Sequence, residues 1–483
     1  MREHPSVFHR MEIRDVIHGA VTVEDWELPI VDSRYFQRLR HIKQLGFAEY
    51  SFPSATHNRY IHSLGAMHTA SLAYQSIFSS QNPRLRAVLR LAALLHDVGH
   101  GPLSHTTEFA MPMVSALRIP GVTASSGEQA THEHYTLKIL LDSALTPLLE
   151  EAGRPFGFGP KHVAALIDPE VRIDDDFFVE RVEGQPVDFR PILQQLISSE
   201  LDADRMDYLR RDSNAAGVSY GHFDFEWLVS NLSAHVKDGR CYLALQHRAL
   251  YSFEDFLISR YHMFLMVYFH HKSVIYDEML QQYLRHPECP YKLPADIDAY
   301  CDCTDAQLYA HLSSSPNEWA KRIIQKRPFR ILVELHTGIP AGPRAKASQD
   351  RLYDEIKSRL EGDGIRYLTG TSTGELSKYY RKMAGSAESA RPIFVRYDNY
   401  YSAPEFIPVD KCTDLFLRYA EKRSIRRIYV SREDHRTLRA QGRGAPLSYE
   451  DDGVDQSSGP KGSASPMDHQ FPFPKSSRGV VMR

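Results

Sequence analysis

The residue types best suited to chemistry are histidines and aspartates in the first half of the chain. His96 and Asp97 follow the apolar run of residues 85–95 and precede a glycine-rich turn at residues 99–102. Imidazole nitrogen and carboxylate oxygen together suit a borderline or hard divalent cation. Because neighbouring helical residues do not share a face, both side chains reach one ion only if it lies between several helices.

The remaining ligands must then come from other helices. His62 and Asp204 are the best candidates, since each stands at the start of a predicted helix. Two imidazoles and two carboxylates leave positions open for water, as a catalytic metal requires. Taken singly, a histidine at a helix end or an aspartate in a first turn is explained by the helix dipole. Only the combination favours a metal site.

The spacing of apolar residues predicts a mostly α-helical fold. Predicted helices cover residues 35–45, 62–78, 85–95, 132–149, 192–196, 202–211 and 252–283. After about residue 300, strand-like runs at 329–333, 393–395 and 427–430 alternate with helical segments near 304–325 and 350–361. We therefore expect a helical core at 1–290, a smaller mixed α/β C-terminal lobe at 291–433 and, from its Gly, Ser and Pro content, a disordered tail at 434–483.

The composition indicates a soluble globular protein. Of its residues, 42% are hydrophobic and 25% are charged. The chain has 483 residues, a length that exceeds one ordinary hydrophobic core. A formal net charge of −3 provides no positive field, so nucleic acid is not favoured as a partner. Five cysteines, an odd number, fit a reducing compartment. With neither a signal region nor a membrane-length apolar run, we expect a cytoplasmic protein.

The order His62, His96-Asp97, Asp204 resembles the H…HD…D pattern of the HD superfamily. Five stretches extend the resemblance to its deoxynucleotide triphosphohydrolase branch: residues 36–46, 56–65, 96–105, 132–133 and 201–208. A lone His-Asp pair is weak evidence, whereas five stretches in order are specific. The resemblance covers residues 11–285 well and the C-terminal lobe loosely, and it implies an HD-type helical core.

The resemblance implies roles for the matching residues. One divalent ion, whether Mn, Fe, Zn, Ni, Co or Mg, would be bound by His62, His96, Asp97 and Asp204. The acid/base and electrostatic group at the scissile bond would be His105, Glu108 and His132, with Glu108 standing where a relative has the shorter Asp. Substrate contacts to the phosphates would come from Arg59, Arg205, Arg260 and Lys272, those to the sugar from Gln44, Tyr208 and Asp212, and Leu45 would line the base pocket. An activator nucleotide would contact Asp32, Gln37 and Arg40.

The implied reaction is attack of water at the α-phosphorus of a dNTP, which gives a deoxynucleoside and inorganic triphosphate. The resemblance also favours Mg bound with the nucleotide and a homo-oligomer: a dimer, tetramer or hexamer. Two alternatives stay open. The same metal site could act on another nucleotide or on single-stranded nucleic acid, because a shared fold does not choose the substrate. The chain could also be a non-catalytic nucleotide-sensing module, in which the predicted acid/base residues form only a polar helix face.

Overall fold

The computed structural model describes residues 10–78, 82–122, 125, 127–337, 343–374, 391–418 and 423–441. Helices dominate these residues, which confirms the predicted fold class. The α-helices are Leu28–Val31, Arg34–Gln37, Arg59–Ile77, Pro83–Leu95, Val114–Leu117, His132–Leu141, Thr146–Gly153, Pro160–Ile167, Arg190–Ile197, Ala203–Ala216, Phe225–Ser230, Leu250–Met263, His271–Arg285, Ile297–Cys301, Asp305–Ser314, Glu318–Ile324, Pro343–Gly362, Leu415–Arg418 and Arg432–Ala440. Short 3-10 turns lie at Arg38–His41, Gly46–Tyr50, Ser104–Ala110, Arg154–Phe156, His247–Ala249 and Val409–Lys411.

Three of these helices form the centre of the core: Arg59–Ile77, Pro83–Leu95 and Ala203–Ala216. Each is preceded by an N-cap residue whose side chain accepts a hydrogen bond from a backbone N–H of the first turn. These N-caps are Asn58, Asn82 and Asp202. Such caps satisfy amide groups that a helix start leaves without partners. The helix Arg59–Ile77 is buried on most of its surface, so polar side chains such as His62, Ser63 and Thr69 face other protein groups and not water.

The strands form three sheets. A hairpin pairs Arg10–Asp15 with Gly19–Glu24, and an antiparallel sheet has the order Arg330–Thr337, Arg423–Val430, Tyr367–Gly374. A six-stranded sheet contains, in order, Glu405–Pro408, Phe394–Tyr397, Arg240–Gln246, Gln185–Asp188 and Val179–Val182, with Leu232–Lys237 paired to Arg240–Gln246.

This last sheet takes strands from both sides of the predicted domain boundary at residue 290. The strand Phe394–Tyr397 runs parallel to Arg240–Gln246, with Leu245 opposite Val395. The division into 1–290 and 291–433 therefore stays a prediction, and one sheet crosses it. Of the predicted tail, Arg432–Ala440 forms a helix, and residues 442–483 lie outside the described residues.

The predicted helix over 252–283 is wrong as a single element. Leu250–Met263 is followed by a π-helical turn at Phe264–Tyr268, and a new helix begins only at His271. The apolar spacing in residues 252–283 predicts one continuous helix, but such spacing does not reveal a wide turn. Such turns are common at functional sites, and this one carries Tyr268 to a hydrogen bond with Asp212.

Two further predicted helices are shorter than expected. The segment 132–149 contains His132–Leu141 and Thr146–Gly153, because Asp142 leaves the helical conformation and the next helix begins at Thr146, with Pro147 in its first turn. The segment 35–45 stops at His41, where Ile42 becomes extended. Among the residues described, no helix combines the length and apolarity needed to cross a membrane.

Candidate metal and active site

The four predicted metal ligands meet at one point of the core. His62 Nε2 lies 3.0 Å and His96 Nε2 lies 3.5 Å from the same oxygen, Asp204 Oδ1. Asp97 closes the group, with its Oδ2 3.5 Å from His62 Nε2 and its Oδ1 3.4 Å from His96 Nε2. His62, His96 and Asp204 lie close enough together to hold one metal ion. They come from the starts of two helices and the end of a third.

The protonation of both imidazoles fits metal binding. His62 Nδ1 is hydrogen-bonded to Asp207 Oδ2 at 2.8 Å, and His96 Nδ1 is hydrogen-bonded to the Ala93 carbonyl at 2.8 Å. Both partners are acceptors, so each Nδ1 carries the proton and each Nε2 presents its lone pair. These Nε2 atoms are buried and make no hydrogen bond to the described residues. Buried polar atoms are rarely left so, and a shared cation would satisfy both.

Electrostatics in the group also favour a cation. Burial opposes charge on the His62 imidazole, but Asp204 and Asp207 outweigh it and raise the pKa of His62 to about 10. Burial likewise opposes ionisation of Asp97, but Arg59, His96 and His100 hold the pKa of this carboxyl well below its usual range. The carboxylates therefore stabilise a positive charge at this position, and a divalent ion would take the place of the His62 proton.

Sequence reasoning missed the layer of residues behind His62. Asp207, fully buried, accepts from Arg211 Nε at 2.8 Å and is hydrogen-bonded to His18 Nε2 at 2.6 Å. Arg211 also donates to Asp15 at 2.7 Å. Asp207 could have been found, because it follows Asp204 by three residues and such pairs share a helix face. His18 gave no local signal, since its partner lies 189 positions away.

The predicted acid/base group is assembled beside the metal ligands. Glu108 Oε1 lies 2.5 Å from His132 Nδ1 and 3.3 Å from His105 Nδ1. The His132 ring stacks on His100 at 3.8 Å between centroids, and His100 Nε2 lies 3.3 Å from Asp97. The longer Glu108 thus reaches both histidines. Burial opposes its ionisation, yet hydrogen bonds from His105 and His132 lower the pKa of Glu108 to about 2.

Arg59 links the two groups. Its guanidinium pairs with Asp97 and donates from Nε to Ser104 Oγ at 2.9 Å. Ser104 donates in turn to the Lys43 carbonyl at 2.8 Å. The predicted phosphate contact is therefore fixed beside the metal ligands, with its position set by hydrogen bonds on two sides.

A second polar cluster surrounds Asp212, a predicted sugar contact. Its two oxygens lie 2.7 Å from His57 Nε2 and 2.7 Å from the Tyr268 hydroxyl. The Tyr208 ring stands between this cluster and the metal ligands, with centroids 6.3 Å from Tyr268 and 6.4 Å from His62. Sequence reasoning did not assign His57 or Tyr268. Tyr208 and Asp212 both neighbour Tyr268, and their roles in substrate binding stay predictions.

Gln44 and Leu45 stand next to the segment that carries Ser104. Both are half-buried, and Gln44 Oε1 is a buried acceptor with no hydrogen bond to the described residues. Such an oxygen suits a donor on a small ligand, such as a hydroxyl. The predicted role in substrate binding stays a prediction.

Of the three predicted phosphate contacts on later helices, Arg205 and Arg260 lie beside one carboxylate, and Lys272 lies on a separate helix. Arg260 is buried and donates to Glu200 Oε2 at 2.9 Å, while Arg205 NH1 lies 3.7 Å from the same oxygen. Glu200 therefore gathers both guanidinium groups. Lys272 lies beyond the π turn, in the first turn of His271–Arg285. The interrupted helix places Lys272 on a different helical segment from Arg260.

Two of the three predicted activator residues, Gln37 and Arg40, are hydrogen-bonded to each other. Gln37 Nε2 donates to the Val31 carbonyl at 2.8 Å, and Arg40 Nε donates to Gln37 Oε1 at 2.7 Å. The Arg40 guanidinium lies 3.6 Å from the centre of the Tyr60 ring, and Asp32 is the exposed C-cap of Leu28–Val31. The contacts join Gln37 to Arg40, while their nucleotide-binding role stays a prediction.

Comparisons with known proteins agree with this geometry. The HD domain family matches residues 59–169, and the HD associated region matches residues 223–336. The chain is 33% identical over 264 residues to the uncharacterized protein YwfO of Bacillus subtilis, which is 53% of this chain and 51% of that protein. It is 27% identical over 283 residues to human deoxynucleoside triphosphate triphosphohydrolase SAMHD1, or 56% of this chain and 43% of that protein. The chain thus spans about half the length of the curated relatives it matches.

A solved structure extends the likeness over most of the chain. A hypothetical protein from Aquifex aeolicus superposes with a TM-score of 0.66 at 26% identity, covering 90% of this chain and 99% of that one. The matched HD domain contains three of the four predicted ligands, and Asp204 completes the group in space. Residues 59–169 therefore match the HD domain family, and the chain is similar to a dNTP triphosphohydrolase that contains such a domain.

Proposed function

We propose that the chain is a metal-dependent dNTP triphosphohydrolase, which releases a deoxynucleoside and inorganic triphosphate. One observation carries the proposal: the donor set of His62, His96, Asp97 and Asp204 lies next to the hydrogen-bonded group of Glu108 and two histidines. Hydrolysis of a phosphate ester needs both parts, because charge must be neutralised and a proton must reach the leaving oxygen.

Each neighbouring group has a task that suits its chemistry. A divalent ion, when bound, supplies Lewis-acid activation of water and neutralises phosphate charge. Arg59 presents a fixed guanidinium to the α-phosphate. His132, hydrogen-bonded to Glu108, can hold and deliver a proton to the 5′ oxygen as the bond to phosphorus breaks. The position of the bound substrate decides which of His105 and His132 donates this proton to the 5′ oxygen.

Two features favour a deoxyribonucleotide as substrate. The Tyr208 ring offers a flat surface beside the metal ligands, and Asp212 is held by His57 and Tyr268 where a sugar hydroxyl would be recognised. The second support is the likeness to the human deoxynucleoside triphosphate triphosphohydrolase. The activator nucleotide at Asp32, Gln37 and Arg40 and a homo-oligomeric state belong to the same proposal.

The test incubates the purified full chain with Mn²⁺ and each dNTP, singly and pooled. We expect deoxynucleoside and triphosphate, identified by anion exchange and ³¹P NMR, and in H₂¹⁸O we expect the label in triphosphate. Pooling provides any activator nucleotide. Asp204→Asn should lose bound metal and at least about a hundredfold in turnover, because a neutral amide replaces a ligand charge.

The matched control is Asp224→Asn, which alters an exposed helix cap outside the site and should keep both metal and turnover. Release of pyrophosphate or monophosphate would identify another HD-type reaction. A metal-loaded protein that converts no dNTP, alone or pooled, would contradict the proposal.

A further inference from the structure

The segment of residues 103–108 carries His105 and Glu108 in an unusual backbone conformation. Leu103 and Ser104 both adopt left-handed φ values, +53° and +60°, although neither is a glycine. A side chain with a Cβ atom avoids this region, so two in succession persist only where surrounding contacts hold them. Whatever holds these two residues therefore also aims His105 and Glu108.

The contact that holds them comes from a later part of the chain. Asp305 Oδ1 accepts from the Leu103 N–H at 2.7 Å, and Asp305 Oδ2 accepts from the Lys43 N–H at 2.9 Å. Asp305 is the first residue of the helix Asp305–Ser314, in the HD associated region, and only 6% of it is exposed. One carboxylate thus binds two amides that are distant in sequence.

The helix does not need this carboxylate for its own start. Thr304 is the N-cap, and its hydroxyl accepts from the Gln307 N–H. A carboxylate at a helix start commonly binds the amides of its own first turn, but here it points to the 103–108 segment and to Lys43. The arrangement therefore serves the contact between the HD associated region and the active site.

The same connection continues to the metal ligands. Ser104 is hydrogen-bonded to the Lys43 carbonyl and to Arg59, and Arg59 pairs with Asp97. A second, half-buried carboxylate, Asp277, accepts from the Thr106 hydroxyl at 2.7 Å. Hydrogen bonds thus hold the segment at Leu103, Ser104 and Thr106, and Asp305 makes the first of these contacts.

We propose that Asp305 is a positioning residue, by which the HD associated region sets the backbone of residues 103–104 and so aims the acid/base group. The proposal rests on the proposed function for its kinetic readout. Asp305 binds two backbone amides outside the metal-ligand group, so its loss should misplace His105 and Glu108 without removing the metal.

The test compares wild type with Asp305→Asn, which keeps the size of the side chain. Its amide NH₂ replaces one of the two acceptor oxygens and so cannot accept from one of the two N–H donors. We expect one metal per chain, as in wild type, and a kcat lower by about tenfold or more. His105 and His132 lower the pKa of Glu108, so moving Glu108 away from these histidines should raise its pKa. The acid limb of the plot of kcat against pH should then move to higher pH. A purely structural role would change the melting temperature but not this limb.

Asp296→Asn is the matched control, since Asp296 caps Ile297–Cys301 in the same region and should leave kcat and its pH profile unchanged. Asp305→Glu keeps the charge and both acceptors, and it replaces Asp305→Asn if that variant does not fold. A variant whose kcat and acid limb both equal those of wild type would overturn the proposal.

If wild type hydrolyses no dNTP, the proposed function fails by itself. Crystal structures of wild type and variant then decide, because left-handed residues 103–104 in both would overturn the positioning role.

Discussion

At the scale of single residues, the His62 imidazole is held from both sides. Its Nε2 faces Asp204, and its Nδ1 is fixed by Asp207, which is held in turn by His18 and Arg211. Carboxylates behind a metal-binding imidazole fix the ring and its tautomer, and their loss commonly lowers metal affinity. The contribution of Asp207 can therefore be measured separately from that of the ligands.

We expect Asp207→Asn to lower metal affinity by roughly 10–100-fold. The amide keeps the shape of the carboxylate but loses the charge that faces His62 and Arg211. Titration of Mn²⁺ followed by calorimetry gives the affinity, and urea unfolding checks that the variant is folded. Asp224→Asn serves as the neutral comparison. Unchanged metal affinity in a folded Asp207→Asn protein would show that the carboxylate behind His62 does not support the site.

The sequence allowed the metal-binding donor set to be predicted but not its support. His96 and Asp97 end a clear apolar helix, and the family order added His62 and Asp204. The partners His18 and Asp305 make contacts across 189 and 202 positions, and no local pattern reports such distances. A single sequence therefore reveals the groups that do chemistry sooner than the groups that aim them.

At the scale of elements, two helices approach each other closely at Gly65. A Cβ atom added there would lie 2.0 Å from Asp207 Oδ1 and 2.4 Å from Arg211 NH2. The helix Arg59–Ile77 can thus contact Ala203–Ala216 only because residue 65 has no side chain. The same approach puts His62 within reach of Asp204.

Gly65→Ala tests this approach, because alanine improves helix propensity by about 1 kcal/mol and should stabilise the helix if space allowed. We expect the opposite: a lower urea midpoint and weaker metal binding, since the methyl group displaces Asp207. Gly362→Ala is the comparison, as this exposed glycine ends the helix Pro343–Gly362 and an added Cβ atom there meets nothing within 4 Å. A Gly65→Ala protein as stable as wild type would show that the helices can separate without loss.

Elements with strong periodicity were predicted, and irregular ones were not. The helix Pro83–Leu95 was found because its apolar residues repeat regularly. The strand Tyr367–Gly374 was missed because its sequence, YLTGTSTG, has almost no apolar alternation. The π turn at Phe264–Tyr268 was missed because tertiary contacts, including that of Tyr268 with Asp212, determine it.

At the scale of the whole molecule, residues after position 290 pack against the core that contains the candidate site. Tyr300 stacks on Tyr135 at 3.9 Å between ring centroids and donates to the Gly99 carbonyl at 2.7 Å, next to the His-Asp turn. The strand Phe394–Tyr397 covers one edge of Arg240–Gln246. Both contacts cross residue 290.

We therefore expect a chain ended at residue 290 to be insoluble or to unfold without a cooperative transition. A chain ended at residue 441 keeps all the described residues and should unfold cooperatively and bind metal. Circular dichroism during heating and metal analysis distinguish the two. A soluble 1–290 fragment that binds metal and melts cooperatively would establish the predicted boundary as a true domain boundary.

The parallel pairing of Arg240–Gln246 with Phe394–Tyr397 also has a consequence for the order of events during synthesis. A ribosome adds about 5–20 residues per second, so the earlier strand waits on the order of ten seconds for its neighbour. During that time its edge is open to other chains, which favours aggregation. Translation speed and chaperone supply should therefore affect the yield of this protein more than the yield of one whose sheets close locally.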